Sequence, residues 1–128
     1  MNLIDSSGWI EYIAGEKNAG FFDQPINDTE NLLVPVVCIY EVFKRVFREF
    51  GEERALETAG LMTLGQVIDL DRQKAINAAQ ISLDLKLAMA DSIILAIARE
   101  YDAILWTQDE HFKDLPGVKF IKKKKNPS

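Results

Sequence analysis

Apolar residues along this chain fall into two kinds of stretch that alternate. Short, almost uniformly apolar runs read as buried strands: Asn2-Leu3-Ile4-Asp5, Leu32-Leu33-Val34-Pro35, Val67-Ile68-Asp69-Leu70, Ala103-Ile104-Leu105-Trp106-Thr107 and Val118-Lys119-Phe120-Ile121. Longer segments between them carry helix signals. Ser6 and Ser7 are natural caps for a helix reaching Ala14, and a polar segment around Asn27 to Asn31 precedes the second strand. A long helix is predicted from Val36 to Phe50, stopped by Gly51, and a second from Glu52 to Leu64, ending near Gly65. Asp71 caps a helix running to Leu83, and a very apolar helix spans Ala88 to Tyr101. Buried strands separated by helices indicate an α/β protein, a three-layer α/β/α sandwich around a central, mainly parallel five-stranded sheet. In such open sheets a functional site lies outside the carboxyl ends of the strands, which says where to look.

Composition narrows the picture. At 128 residues, 48% hydrophobic and 27% charged, the chain has the size and balance of one globular domain. That domain is read as residues 1–121, followed by a basic tail, 122–128, that begins with Lys122 to Lys125. A lone cysteine, Cys38, excludes an internal disulfide and suits a reducing, cytoplasmic setting; within Val36-Val37-Cys38-Ile39 it reads as an inert core residue. No apolar run is long enough to span a membrane, and the N-terminus lacks a signal-peptide pattern. A net charge of −5 argues against coating nucleic acid by bulk electrostatics, yet divalent cations can reverse the sign locally.

The candidate chemistry stands at the strand ends. Asp5 closes the first strand, Glu41 follows the second, Asp91 opens the apolar helix before the fourth, and Asp109 follows the fourth by two residues. Four carboxylates brought to one sheet edge repel one another unless a cation neutralises them, and such an oxygen-rich cluster suits Mg²⁺ or Mn²⁺. Each acid also has a plainer role. Asp5 can cap a helix, and Asp109 can sit in a turn. Glu41 can pair with Arg45 one helical turn on, because Val36, Ile39, Phe43, Val46 and Phe50 form a core stripe that leaves Glu41, Lys44, Arg45 and Arg48 on the opposite face. Asp91 is different: it shares a face with Ile94, Leu95 and Ala98, where a charge must be a cap, be paired or bind a metal. Other chemistries find little support. The sole histidine, His111, reads as an exposed turn residue without a nucleophile to serve, and no glycine-rich phosphate loop is present.

Taken together, Asn2-Leu3-Ile4-Asp5-Ser6-Ser7, Val34-Pro35 leading to Tyr40-Glu41-Val42, Ala90-Asp91-Ser92-Ile93-Ile94 and Thr107-Gln108-Asp109-Glu110-His111-Phe112 resemble the PIN domain, most closely the small VapC-like toxins. The resemblance implies a metal-dependent endoribonuclease using Mg²⁺ or Mn²⁺, with Asp5, Glu41, Asp91 and Asp109 at the family's acidic positions. Asp5 and Asp91 would ligate the metal directly and Asp109 would complete the shell, while Glu41 positions or deprotonates water. Ser6 and Thr107 match supporting hydroxyls, and Lys44, Arg45 and Arg48 are placed to hold RNA phosphates. Val36 departs from the pattern, since many relatives carry Ser or Thr after the proline, which implies a lost hydroxyl near Glu41. Further implications are a structured RNA substrate, a homodimer and a VapB-like antitoxin. The antitoxin would set a basic side chain near the acids in competition with metal, and would use Phe21, Phe22, Tyr40 and Phe47 as apolar anchors. An inactive binding module of the same fold, a DNA-directed nuclease and a phosphotransfer or phosphatase-type α/β protein are the alternatives. The last is disfavoured because Ser7 stands where it would need a second acid.

Overall fold

Continuous apolar runs can be buried on both faces only in the interior of a sheet, and three of the strands show this. In the computed structural model, which describes residues 1–124, Leu3, Ile4, Leu32, Leu33, Val34, Leu105 and Trp106 are all buried. They belong to β1 (Asn2–Ile4), β2 (Leu32–Pro35) and β4 (Ile104–Thr107), which with β3 (Gln66–Ile68) and β5 (Val118–Phe120) form one sheet in the order β3-β2-β1-β4-β5. Every neighbouring pair is parallel; Leu3 aligns with Leu33 on one side and Leu105 on the other. Six α-helices complete the three-layer α/β/α arrangement: α1 (Ser6–Ala14), α2 (Ala19–Asn27), α3 (Val36–Phe50), α4 (Glu52–Met62), α5 (Arg72–Leu85) and α6 (Met89–Glu100).

Strand order decides where the site lies. From β1 the chain steps outward to β2 and β3, then crosses back over the sheet through α5 and α6 to enter β4 on the other side of β1. Strand order therefore reverses between β1 and β4, and a crevice opens beyond their carboxyl ends. Gly8 lets α1 lie close at that point: a Cβ there would meet Ile4 Cγ2 and Phe22 Cε1 at 2.6 Å.

Several expectations change. Ser6 and Ser7 do not cap α1; they are its first residues, and Asp5 is the cap, its side chain accepting from the Gly8 N–H. α2 has no counterpart among the predicted elements, because Gly20 and Pro25 disfavour a helix locally. Burial of Phe22, Pro25 and Ile26 overrides that preference. β3 is shorter than predicted and is an edge strand with Val67 41% exposed, not a fully buried one. The stripe of α3 also differs. Cys38, Val42 and Val46 are buried, Ile39 and Phe43 are half-buried, and Phe47 and Phe50 are exposed. The small residues let α3 approach the sheet, with Cys38 Sγ 3.9 Å from the Ile4 carbonyl oxygen, and the larger rings are left at the margin. Of the predicted tail, Lys122 lends its carbonyl to Asn18 Nδ2 at 3.1 Å, and Lys122 to Lys124 are exposed; Lys125 and the three residues after it lie outside the described residues.

Candidate active site

Asp5 leaves β1 directly into the N-terminus of α1, so the end of a buried strand forces a carboxylate to be buried too; it is 2% exposed. Its oxygens accept from the Gly8 N–H at 2.9 Å, the Ser7 hydroxyl at 2.9 Å and the Thr107 hydroxyl at 2.6 Å. Thr107, at the end of β4, in turn accepts from the Asp109 N–H at 2.9 Å. One buried hydroxyl thereby fixes both the acid of β1 and the backbone that presents the acid after β4. Despite three donors, burial raises the Asp5 carboxyl from 3.8 to about 6, with Asp109 adding to the rise.

Glu41 lies in the second turn of α3 and Asp91 in the first turn of α6. Glu41 does not pair with Arg45. It accepts the Ser6 hydroxyl at 2.6 Å, whereas Arg45 Nε reaches Glu49. Ser6 thus supplies a hydroxyl to Glu41 where Val36 supplies none. Asp91 is raised to about 6, first by burial, then by the charges of Asp109 and Glu41, with His111 opposing. The same field reaches beneath the cluster, where burial and the charges of Asp5, Glu41 and Asp91 push the Cys38 thiol far up and keep it protonated. Asp109 caps a 3-10 turn, Glu110–Phe112, by accepting the His111 N–H at 2.9 Å.

The four predicted acids are therefore one electrostatic group, spread over β1, α3, α6 and the turn after β4. Lys44, Arg45 and Arg48 are exposed on α3 and line, with Ser6, Tyr40 and Glu41, an adjoining cleft of about 240 Å³. His111 does more than occupy an exposed turn. Its turn is exposed, but its ring Nδ1 lies 3.1 Å from Asp109 Oδ1 and 3.8 Å from Asp91 Oδ2. The signal available in the sequence was its place two residues after Asp109 in the same turn. Phe22 is fully buried and so is no surface anchor, while Phe21, half-buried, packs edge-on against it and near Trp106.

A parallel sheet with four carboxylates gathered at its switch point defines a small α/β domain with an acidic crevice. Residues 3–118 match the family model of the PIN domain, and the chain belongs to that family. Solved structures share its fold at low identity. A toxin–antitoxin complex from Klebsiella pneumoniae is 21% identical with a TM-score of 0.75, covering 92% of this chain and 95% of that one. VapC20 of Mycobacterium tuberculosis, a sarcin–ricin loop cleaving toxin, is 15% identical with a TM-score of 0.76, covering 91% and 95%. DNA-bound VapBC from Salmonella typhimurium is 20% identical with a TM-score of 0.74, covering 95% and 98%. No curated protein matches the sequence.

Proposed function

We propose that the chain is a divalent-metal-dependent endoribonuclease that hydrolyses RNA phosphodiester bonds as the toxin of a type II toxin–antitoxin module. One observation carries this reading: at the strand-order switch, burial together with the charges of neighbouring carboxylates raises the affinity of Asp5 and Asp91 for positive charge. The donor set fits Mg²⁺ or Mn²⁺, since Asp91 and Asp109 bring carboxylate oxygens within 4.8 Å of each other and Asp5 lies near enough to Asp109 to feel its charge. A cation held there supplies neutralisation of charge on the scissile phosphate and acidification of water. Asp5 and Asp91 would hold it, and Asp109 would complete the shell. Thr107 and Ser7 fix Asp5. Ser6 takes one oxygen of Glu41 and leaves the other to accept a proton from the attacking water. Lys44, Arg45 and Arg48 hold flanking phosphates along the adjoining cleft. VapC20 is a sarcin–ricin loop cleaving toxin, and unstacked loop bases are the substrate class this reading gives to the present chain.

A VapB-like antitoxin is the proposed partner. On the outer face of α3, Ile39, Tyr40, Phe43 and Phe47 line an apolar groove of about 650 Å³ beside Glu41, with Lys44 and Arg48 at its rim. An apolar segment seated there would bring a basic side chain onto the acids in competition with metal. A second apolar surface, where Leu83 and Met89 are 82% and 74% exposed, is where a second copy of the chain would pack to make the homodimer. A cytoplasmic setting goes with this reading; among the described residues no helix is long and apolar enough to cross a membrane.

The deciding experiment incubates the tag-free protein with an end-labelled, loop-containing RNA, with and without Mn²⁺ or Mg²⁺. Cleavage that requires the metal and disappears in Asp91→Asn supports the reading. Cleavage that survives a chelator or the substitution overturns it. RNA that is bound but never cut would assign the chain to the inactive binding modules.

A further inference from the structure

His111 takes no part in the cleavage just described, yet it is held against the acids twice. Its backbone N–H donates to Asp109 Oδ1 at 2.9 Å, and its ring Nδ1 lies 3.1 Å from the same oxygen and 3.8 Å from Asp91 Oδ2. Phe112, the next residue, is completely buried and anchors the turn, while the imidazole is 74% exposed. In an octahedral shell with bonds of about 2.1 Å, neighbouring donors stand roughly 3 Å apart and opposite donors roughly 4.2 Å. The observed spacings of Nδ1 to the two carboxylates fall between those values. The ring is therefore already where a ligand to a shared ion belongs, on a turn fixed from below and free of packing above.

We infer that His111 is a nitrogen ligand of the divalent-cation centre and that it biases this centre towards Mn²⁺ over Mg²⁺. The inference rests on the metal-centre reading above and adds the identity of a ligand and the ion it selects. Carboxylate and water oxygens suit Mg²⁺ and Mn²⁺ alike, whereas imidazole suits first-row transition ions and adds little for Mg²⁺. A single nitrogen in an otherwise oxygen site thus separates the two ions without changing the charge of the acidic cluster.

This chain makes the test unusually clean, because His111 is its only histidine. Pulsed EPR on the tag-free protein loaded with Mn²⁺ reports directly on nitrogen bound to the ion. Imidazole ¹⁴N coupling is expected in the wild type and should vanish in His111→Ala, which, being an exposed position, is expected to keep its circular dichroism and melting behaviour. By calorimetry His111→Ala should weaken Mn²⁺ binding about tenfold, the scale of losing one supporting group in a metal site, and Mg²⁺ binding by less than about twofold. His111→Gln, which retains a hydrogen-bond donor near Asp109, should restore neither the coupling nor the preference. Absence of ¹⁴N coupling in the wild type overturns the inference, as does an equal loss of both metals, which would make His111 only a positioning residue for Asp109. Asp91→Asn separates this failure from failure of the proposed function: if that variant binds Mn²⁺ as tightly as the wild type, the metal centre itself is wrong.

Discussion

Asp5, which caps α1, and Glu11, in the second turn of that helix, are buried carboxylates, 2% and 5% exposed, and they are solved in opposite ways. The oxygens of Glu11 are each taken by a neutral amide donor, the Asn18 backbone N–H at 2.8 Å and Gln108 Nε2 at 3.1 Å, and Asn18 Nδ2 closes the ring onto Gln108 Oε1 at 3.0 Å. Asp5 also accepts hydrogen bonds, but burial, with the charge of Asp109 adding to it, keeps its carboxyl raised to about 6. Successive residues at the end of β4 serve the two sites: Thr107 turns to Asp5, and Gln108 to Glu11. The comparison teaches how to tell a structural acid from a reactive one. A carboxylate enclosed by donors ties together α1, the turn at Asn18 and the end of β4, whereas carboxylates turned towards one another hold an unmet demand for a cation.

The largest expected effect breaks the reactive side. Asp91→Asn should lower RNA cleavage at least about a hundredfold, the scale of losing an essential acid or base, as gel assays of end-labelled RNA would record. In the absence of metal the same variant should be more stable by about 1 kcal/mol, since repulsion with Asp109 and Glu41 is relieved. Asp5→Asn should be just as inactive without gaining stability, because an amide cannot accept from Gly8, Ser7 and Thr107 as the carboxylate does.

On the structural side, Glu11→Ala strands two buried donors and should cost about 2–4 kcal/mol in urea unfolding. The folded fraction should bind Mn²⁺ like the wild type. A loss of metal affinity matching that of Asp91→Asn would erase the distinction between the two carboxylates.

Acidity gives a third contrast. Asp5 and Asp91 titrate near 6 in the folded chain against 3.8 for an ordinary aspartate, so between those values the folded state binds more protons than the unfolded. Stability without metal should therefore rise as pH falls from about 7 to 5, by about 1–2 kcal/mol, and be lost as pH climbs through 6. Saturating Mn²⁺ binds the deprotonated acids of the folded state and should flatten or reverse the trend. Chemical denaturation at the two pH values, with chelator and with metal, measures both slopes.

The smallest effect lies outside both regions. The exposed Arg45–Glu49 pair on α3 should be worth only a few tenths of a kcal/mol, so Arg45→Ala should hardly move the melting temperature. Its effect belongs in RNA affinity and the salt dependence of binding, where loss of one phosphate contact lowers the slope by about one. An unchanged salt slope would remove Arg45 from the phosphate track.

The order of the five strands and of every helix but α2, and the acids standing at the strand ends, could be read from the sequence because each depends on local information. A run of apolar residues too short for a helix reads as a strand, and an acid at its end is visible as such. α2 escaped because Gly20 and Pro25 speak against a helix that burial of Phe22 and Ile26 nevertheless imposes. The stripe of α3 was misplaced because two overlapping apolar stripes share Val46, and only contact with the sheet chose the one containing Cys38 and Val42. Partners across long separations were also beyond local reading. Ser6 meets Glu41 over 35 positions, Thr107 meets Asp5 over 102, and Gln108 meets Glu11 over 97. The sequence by itself determined which residues can carry charge at the strand ends. Only the tertiary structure decided which of those charges meet donors and which meet one another, because hydrogen bonds and desolvation act over a few ångströms of space that the chain crosses only after it has folded.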